Sequence, residues 1–329
     1  MDLLKGKNVA IVANQTSILS ILQRAEVAPN IMGSKTVTIH LVDFLYENKE
    51  LNIKKVFAPE HGFRGEADAG EIIKDGLDKK TNLPLISLYG NNKKPTPEQL
   101  KNIDVVVFDI QDVGARFYTY ISTLHYVMEA SAEAEIPVII LDRPNPNAHY
   151  IDGPVLEMEH TSFVGMHPVP VVYGMTIGEY GKMINGKKWL KNKVQCDLTV
   201  IPLANYTHDS AYSLPVKPSP NLPNDIAINL YPSLCFFEGT NVSAGRGTEM
   251  QFQIVGSPFH KLKRHLFEFT PQPNKGAKNP KNEGKICYGY DLREEKMLNK
   301  IELKWVIDFY KVIKTTRKKK NSSIRFLLN

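Results

Sequence analysis

Short apolar runs alternate with segments of helical spacing over the first 145 residues. Runs rich in Val and Ile predict strands, and apolar residues at every third or fourth position predict helices. On this basis we predict strands at 7–13, 54–58, 85–88, 104–110 and 138–141, and helices at 40–47 and 118–135. Continuous apolar strands between helices are typical of a parallel sheet that is covered on both faces, so the pattern predicts an α/β fold.

The pattern changes after about residue 145, where Pro, Asn and Gly cluster and the apolar runs shorten. Residues 20–36 are expected to form a long connection. We place a domain boundary at residue 150, with an α/β domain carrying the candidate site over 1–150 and a smaller α+β domain over 151–329. In the second part we predict a helix at 177–185 opened by a capping box at Thr176, strands at 197–202 and 249–255, and loops at 218–223 and 270–285.

Composition narrows the classes of protein to which the chain can belong. Its hydrophobic content of 42% supports a sizeable core, and no run of about 18 apolar residues predicts a membrane span. Residues 301–329 hold eight Lys or Arg and two acidic residues, which accounts for the whole net charge of +6. We therefore expect a solvated basic tail and no nucleic-acid partner.

The cysteines and the N-terminus add little about the compartment. Three widely spaced cysteines predict neither a zinc site nor a disulfide scaffold. The N-terminal residues run directly into the first strand without a signal peptide. This predicts either a cytoplasmic protein or one whose signal has been removed.

Polar clusters follow the strong strands of the predicted sheet. The carboxyl ends of parallel strands share one edge, where α/β proteins bind their ligands. We expect one rim of acids, amides, arginines and a histidine there: Asn14, Glu60, His61, Arg64, Asp109, Gln111, Asp112, Arg116, Arg143 and Asn145. Any one cluster could instead cap a helix or shape a turn. Four clusters at one edge favour a site, because capping does not require a string such as EHGFRG at 60–65.

Several familiar sites are absent from the sequence. The first strand is followed by NQTS at 14–17 rather than GxGxxG, no P-loop is present, and no GxSxG elbow predicts a serine esterase. His61 and the aspartates at 109, 112 and 142 could form a metal site. Their spacing matches no recognised ligand set, so we expect neither a metal nor a cofactor.

The residue types at the rim suit a carbohydrate. Hydrolysis of a glycosidic bond needs a carboxylic acid to protonate the leaving oxygen and a second group on the other side of the sugar. The acids near motif-like sequence are Glu60, Asp109, Asp112, Asp142, Glu179 and Glu238. The tyrosines that could stack on a sugar face, or could instead lie in the core, are Tyr89, Tyr118, Tyr120, Tyr173 and Tyr231.

Eight motifs occur in order along the chain: PEHGFRG at 59–65, SLYG at 87–90, FDIQDVGARFYTY at 108–120, LDRPNP at 141–146, YGMTIGE at 173–179, PSPNLP at 218–223, LYPSLCFFEGTNVSAGRGT at 230–248 and GSPF at 256–259. Together they resemble the exo-β-N-acetylmuramidase family, the NamZ-like or YbbC-like proteins. The resemblance covers roughly residues 7–292.

This resemblance implies an enzyme that removes β-1,4-linked N-acetylmuramic acid from the non-reducing end of peptidoglycan fragments. Muropeptides or disaccharides would be its substrates, in cell wall recycling. It also implies a Rossmann-like domain without a nucleotide, paired with a smaller domain, and an active site in the cleft between them. Many members are exported, so we expect export of this protein. The family continues past residue 329, so we expect the second domain to be truncated.

The resemblance also assigns roles to residues. Glu60 occupies the position of the family's catalytic glutamate. For our part we expect His61 to be catalytic with it, His61 and Arg64 to position or polarise it, and Arg64 to bind substrate with the other rim residues. Substrate-binding residues of the second domain would be Asn221, Glu238 and Arg246. Two other functions stay open: a non-catalytic protein that binds muropeptides or other carbohydrates, and a metal-dependent hydrolase. The second catalytic group could be a carboxylate or the substrate's own acetamido oxygen.

Overall fold

The apolar runs of the first 145 residues form strands of one large sheet in the computed structural model, which describes residues 1–28, 31–64, 75–260 and 266–317. Every strand predicted there, and both predicted helices, lie within two residues of their expected bounds. In chain order the described elements are β1 (Asn8–Ala13), β2 (Ile18–Ala28), β3 (Ile31–His40), α1 (Leu41–Glu47), β4 (Asn52–Ala58), β5 (Gly76–Leu77), β6 (Pro84–Ser87), α2 (Pro97–Leu100), β7 (Val105–Asp109), α3 (Tyr120–Glu133), β8 (Val138–Leu141), α4 (Ile177–Gly186), β9 (Leu198–Ile201), α5 (Asp225–Leu234), β10 (Ile254–Ser257), β11 (Phe267–Phe269), β12 (Cys287–Asp291) and α6 (Lys304–Arg317).

The large sheet confirms the predicted α/β fold. Among the described residues its seven strands run in the order β5-β6-β4-β1-β7-β8-β9. Only the pair β5 and β6 is antiparallel, and every other neighbouring pair is parallel. Numbered along the chain, the parallel strands have the order 3-2-1-4-5-6, which is that of a Rossmann fold. The order reverses between β1 and β7, and ligands of such sheets bind at that switch point.

Burial on both faces explains why the central strands are apolar at every position. All five residues of β7 are buried, as expected for a parallel strand between two layers of helices. Val9 and Ile11 of β1 belong to one core cluster with Leu41 of α1 and Val107 of β7. No helix in the described ranges is both long and apolar enough to cross a bilayer.

The chain divides into two compact units that interleave along the sequence. The first comprises 1–111, 120–143 and 177–204, and it contains the large sheet. The second comprises 112–119, 144–176 and 205–329, and its described part contains the antiparallel sheet β10-β12-β11. The boundary at residue 150 concerns folding domains and stays a prediction.

The strand predicted at 249–255 is wrong over most of its length. Strand β10 begins only at Ile254, and the preceding residues form a turn. Two hydrogen bonds close this turn. The N–H of Phe252 donates to the carbonyl oxygen of Ala244, and the N–H of Gln253 donates to the carbonyl oxygen of Met250. The alternation of polar and apolar residues misled the prediction, because it comes from a buried turn rather than from a half-exposed strand.

Other elements escaped the sequence analysis. The expected connection at 20–36 is instead part of a hairpin, in which Ile18 of β2 pairs with His40 of β3; residues 29–30 lie outside the described ranges. Helix α5 contains Pro232 and follows a proline-rich stretch, so its helical pattern was hidden. It is nevertheless well capped, because the side chain of Asn224 accepts the N–H of Ala227.

The small sheet offers a test of packing at Gly289 of β12. A Cβ atom at this position would lie 1.8 Å from the carbonyl oxygen of Val255 on the neighbouring strand. Because backbone cannot yield as a side chain can, we expect Gly289→Ala to lower the free energy of unfolding by about 3 kcal/mol, measured by urea denaturation. Gly76→Ala is the control, since its Cβ would meet nothing within 4 Å. Equal stability of the two variants would contradict this packing.

Candidate active site

Glu60 lies in a tight turn directly after β4. The N–H of Gly62 donates to the carbonyl oxygen of Pro59 at 3.0 Å, which makes Glu60 and His61 the central residues of the turn. His61 and Gly62 both have left-handed backbone, with φ of 69° and 78°, a conformation that glycine adopts without steric cost. The turn leaves the side chain of Glu60 half-buried and that of His61 buried. Gly65, the last residue of the motif, lies outside the described residues.

Two tyrosines contact Glu60. The phenol of Tyr89 donates a hydrogen bond to the Glu60 carboxylate, and the hydroxyl of Tyr120 lies 3.5 Å from the Glu60 carbonyl oxygen. Burial, together with the charge of Glu60, raises the pKa of Tyr89 to about 12. From the sequence, Tyr89 is expected to be a stacking face for a sugar or a core residue. The position of SLYG at the end of a predicted strand was the one signal that could have placed it beside Glu60.

Asn14 lies just beyond β1, at the switch point of the sheet. Its Oδ1 accepts hydrogen bonds from the backbone N–H of Thr16 at 2.9 Å and from the Thr16 hydroxyl at 2.5 Å. The same hydroxyl accepts the backbone N–H of Gln111 at 3.0 Å, which ties the ends of β1 and β7 together. Asn14 is fully buried, and its Nδ2 has no hydrogen-bond partner in the described part of the chain. A buried amide donor of this kind suits hydrogen bonding to a ligand or to water.

His40 fixes the other side of Asn14. Its Nε2 lies 2.8 Å from the Asn14 carbonyl oxygen, and its Nδ1 accepts the N–H of Val42 at the start of α1. This pattern requires the neutral ring with its proton on Nε2. Burial lowers the pKa of His40 in agreement with that state. The sequence pattern does not reveal this role of His40, because its partner lies 26 residues away.

Asp109 and Arg143 form a buried ion pair at the same edge. Nε of Arg143 lies 2.6 Å from Oδ1 of Asp109, and Nη2 lies 2.9 Å from Oδ2. Nη2 also donates to the carbonyl oxygen of Ile18. Burial raises the pKa of Asp109, and the guanidinium opposes that effect. The sheet thus brings Asn14, Gln111 and this pair to one edge as expected, and their roles in substrate binding stay predictions.

Arg64 connects the turn after Glu60 to two carboxylates. Its Nε and Nη2 lie 3.0 and 2.9 Å from the carboxylate oxygens of Asp78, and Nη2 lies 3.2 Å from Asp43 of α1. Asp43 is also bound by Lys80 at 2.8 Å. These contacts make Arg64 a brace for the loop, and its proposed effect on Glu60 stays a prediction.

Asp112 anchors segment 112–119 within the second unit. Its carboxylate accepts hydrogen bonds from the Tyr173 hydroxyl and from the N–H of Gly114. Burial raises the pKa of Asp112 to about 6, although these hydrogen bonds act in the opposite direction. Gly114 has φ of 75°, and a Cβ atom there would lie 2.4 Å from Oδ1 of Asn145. Only glycine therefore fits at position 114, which lies against the side chain of Asn145.

The side chains of two further candidate residues in the second unit donate hydrogen bonds to backbone carbonyl groups. Nη1 of Arg116 donates to the carbonyl oxygens of Pro154 and Val169, at 2.8 and 2.5 Å. Nδ2 of Asn145 donates to the carbonyl oxygen of Met175 at 2.9 Å. These bonds position loops, and roles in substrate binding for Arg116 and Asn145 stay predictions.

The three candidates from the later motifs converge around Gly276. Nδ2 of Asn221 and Nη2 of Arg246 both donate to its carbonyl oxygen, at 2.8 and 3.3 Å. Nη1 of Arg246 also lies 2.9 Å from Oε1 of Glu238. The loop predicted at 270–285 is present, but Gly276 is buried, so it is not wholly a surface loop.

The described side chains contain one group that could hold a metal ion, formed by Glu157, Glu159 and His160. All three residues are exposed, and none of them is among the candidate site residues. The three cysteines are buried and free.

Comparison with known proteins connects this arrangement to one family. The N-terminal model of the exo-β-N-acetylmuramidase NamZ matches residues 9–226, and the C-terminal model matches residues 229–326. The chain is also 40% identical over 309 residues to the peptidoglycan β-N-acetylmuramidase NamZ of Bacillus subtilis (strain 168), which covers 88% of this chain and 68% of the relative. This chain belongs to the exo-β-N-acetylmuramidase NamZ family.

Solved structures of the family DUF1343 from Bacteroides fragilis share the fold. One has a TM-score of 0.81 and 43% sequence identity, covering 95% of this chain and 80% of that protein. Another has a TM-score of 0.76 and 29% identity, covering 97% of this chain and 79% of that protein.

The match to the NamZ family runs further along the chain than the quoted motifs. It reaches residue 326 rather than ending near 292. Residues beyond 300 contribute to the fold, because Trp305 and Phe309 of α6 are buried. Such helical core positions lack the Gly and Pro turns that make motifs visible. Residues 318–329, which include part of the predicted basic tail, lie outside the described ranges.

The pair of Arg143 with Asp109 leads to a stability prediction. Removing one partner of a buried ion pair leaves an uncompensated charge, so we expect Arg143→Met to lower the free energy of unfolding by about 3 kcal/mol at neutral pH. Burial already raises the pKa of Asp109. Lowering the pH therefore protonates its carboxylate and removes the unpaired charge. The difference in unfolding free energy between Arg143→Met and the wild type should therefore shrink as the pH is lowered.

Urea unfolding at neutral and at acidic pH measures both effects. Arg293→Met is the control, because Arg293 pairs with Asp291 at the surface, where the two side chains are 45% and 29% exposed. We expect its loss to be much smaller than that of Arg143→Met, because exposed ion pairs contribute little to stability. A deficit for Arg143→Met that does not change with pH would contradict the assignment to Asp109.

Proposed function

We propose that this chain is an exo-acting glycoside hydrolase that releases N-acetylmuramic acid from the non-reducing end of peptidoglycan fragments. The observation that carries the proposal is the 40% identity to a peptidoglycan β-N-acetylmuramidase over 88% of this chain. The bond that is cleaved would be the β-1,4 bond to N-acetylglucosamine, in muropeptides or disaccharides.

Glu60 is the proposed general acid and base. Three observations support this role: its place in a strained turn after β4, its half-buried carboxylate and the hydrogen bond from Tyr89. A half-buried carboxyl group can reach a substrate while its orientation stays fixed. His61, next in the same turn, would help to hold that orientation. Asn14 would bind the sugar through its buried Nδ2.

Arg246 is the arginine that we propose for the lactyl carboxylate of muramic acid. Arginine matches a carboxylate through paired hydrogen bonds. Arg64 and Arg143 are each bound to buried aspartates, and Arg116 holds two backbone carbonyl groups. The side chain of Arg246 is 30% exposed, and its acidic partner Glu238 is 40% exposed.

We also propose a place for the enzyme in the cell. Its substrate is part of the cell wall, so export to the periplasm or the medium and a role in cell wall recycling fit the activity. Fractionation of cells that express the full-length gene would test this, and recovery only from the cytoplasm would contradict export.

The substitution Glu60→Gln tests the catalytic role. The amide keeps the shape of the side chain but cannot deliver a proton, so we expect turnover of the N-acetylmuramic acid–N-acetylglucosamine disaccharide to fall at least ~100-fold. Mass spectrometry of the products measures it. The exposed Glu98→Gln in the same unit is the control, and we expect it to behave as the wild type.

The same assay separates the other candidate functions. A non-catalytic binding protein would leave the disaccharide intact with wild-type protein. A metal-dependent hydrolase would lose activity on exhaustive chelation and regain it with a divalent ion, whereas we expect chelation to have no effect. A folded Glu60→Gln variant with near-wild-type turnover would show that another residue is the acid.

The substitution Arg246→Met tests substrate choice. Hydrogen bonds to a charged group contribute about 1.5–3 kcal/mol, so the preference in kcat/KM for N-acetylmuramic acid over N-acetylglucosamine glycosides should fall at least ~10-fold. Arg293→Met serves as the control, since Arg293 is paired at the surface. An unchanged preference would assign the lactyl group to another residue.

A further inference from the structure

Tyr89 and Glu60 are brought together by the pairing of two parallel strands. Ser87 of β6 lies opposite Ala58 of β4, and the N–H of Leu88 donates to the Ala58 carbonyl oxygen at 2.8 Å. Glu60 follows Ala58 by two residues, and Tyr89 follows Leu88 directly. The two side chains therefore leave the sheet side by side at its carboxyl edge.

The contact between them is a hydrogen bond with a fixed direction. The Tyr89 phenol donates to the Glu60 carboxylate, and both side chains are half-buried. The high pKa of Tyr89 keeps its proton in place at neutral pH, so the phenol stays a donor. Tyr120 approaches the same residue at its backbone, where its hydroxyl lies 3.5 Å from the Glu60 carbonyl oxygen. Side chain and backbone of Glu60 are thus held by different tyrosines.

We propose that Tyr89 is a positioning residue for the hydrolysis, orienting the Glu60 carboxyl group and stabilising the carboxylate that forms when its proton leaves. The proposal rests on the proposed function of Glu60 as the acid. As Glu60 gives its proton to the glycosidic oxygen, the bond from C1 to that oxygen breaks and its electron pair stays on the leaving oxygen. The water that completes hydrolysis adds hydroxide to C1, and its remaining proton restores the acid.

The hydrogen bond from Tyr89 would strengthen during this step. A hydrogen bond to a carboxylate is roughly twice as strong as one to a neutral acceptor. In the reacting complex Glu60 carries the proton that it will donate, and charge returns to its carboxylate as that proton moves. The contact therefore stabilises the transition state more than the complex of substrate with protonated Glu60. Such a contact raises kcat and leaves KM largely unchanged.

Tyr89→Phe removes the donor and keeps the ring. We expect kcat for the disaccharide to fall about 10- to 100-fold, the effect of losing one hydrogen bond to a charged group, with KM unchanged. Tyr46→Phe is the control, because Tyr46 lies exposed on α1 of the same unit. Circular dichroism and the thermal midpoint would show that each variant folds.

A double-mutant cycle distinguishes positioning from a general structural effect. If Tyr89 acts through the Glu60 carboxyl group, adding Tyr89→Phe to Glu60→Gln should lower kcat by less than ~2-fold further. A 4-nitrophenyl glycoside of N-acetylmuramic acid gives a second readout. Its phenolate leaves without protonation, so in the first turnover both single variants should release 4-nitrophenolate with a much smaller loss of rate than they show on the disaccharide.

The outcomes separate this proposal from the one on which it rests. If Glu60→Gln keeps its turnover, the assignment of Glu60 fails and the role of Tyr89 fails with it. If Glu60→Gln is inactive but Tyr89→Phe has wild-type kcat, only the Tyr89 proposal is overturned. It is also overturned if Tyr89→Phe lowers kcat by the same factor in both backgrounds. Should Tyr89→Phe fold poorly, the ratio of its losses on the two substrates still decides, because misfolding lowers both equally.

Discussion

The parallel pairing of β1 with β4 on one side and β7 on the other is the constraint on which the site of the first unit depends. Parallel neighbours must end at the same edge of a sheet. That edge therefore collects Asn14 after β1, Glu60 after β4 and Asp109 at the end of β7. The strand order reverses between β1 and β7, and ligands of such sheets bind at that switch point.

Most polar side chains at this edge form ion pairs or hydrogen bonds with other residues of the chain, and this limits which of them can act on a ligand. Asp109 is neutralised by Arg143, and Arg64 is held by Asp78 and Asp43. Forming such pairs costs desolvation energy, and only good hydrogen-bond geometry offsets that cost. Their effect is to fix loops in place rather than to present charge. Catalytic groups need a fixed orientation, and rigid loops supply it.

One contact of Glu60 is of a different kind from these ion pairs. Its carboxylate accepts a hydrogen bond from a phenol, whereas Asp109 faces a guanidinium. A cationic partner would hold a carboxylate in its charged form and oppose proton transfer. A neutral donor such as the Tyr89 phenol orients the group without placing a positive charge beside it. The role of Glu60 as the acid stays a proposal.

The sequence by itself determined five strands and two helices of the first half, the edge at which polar residues gather and the family. Apolar runs and helical spacing are local properties, and motifs such as PEHGFRG are read directly from the chain. The hairpin of β2 and β3 and helix α5 escaped, because their patterns are irregular or contain proline. Only the tertiary structure decided which partner each polar residue has. Arg64 binds Asp43, 21 residues away, and Arg143 binds Asp109, 34 residues away. Tyr89 meets Glu60 because two strands pair in one register. Partners of this kind are set by strand pairing and loop packing, which residue spacing along the chain does not specify.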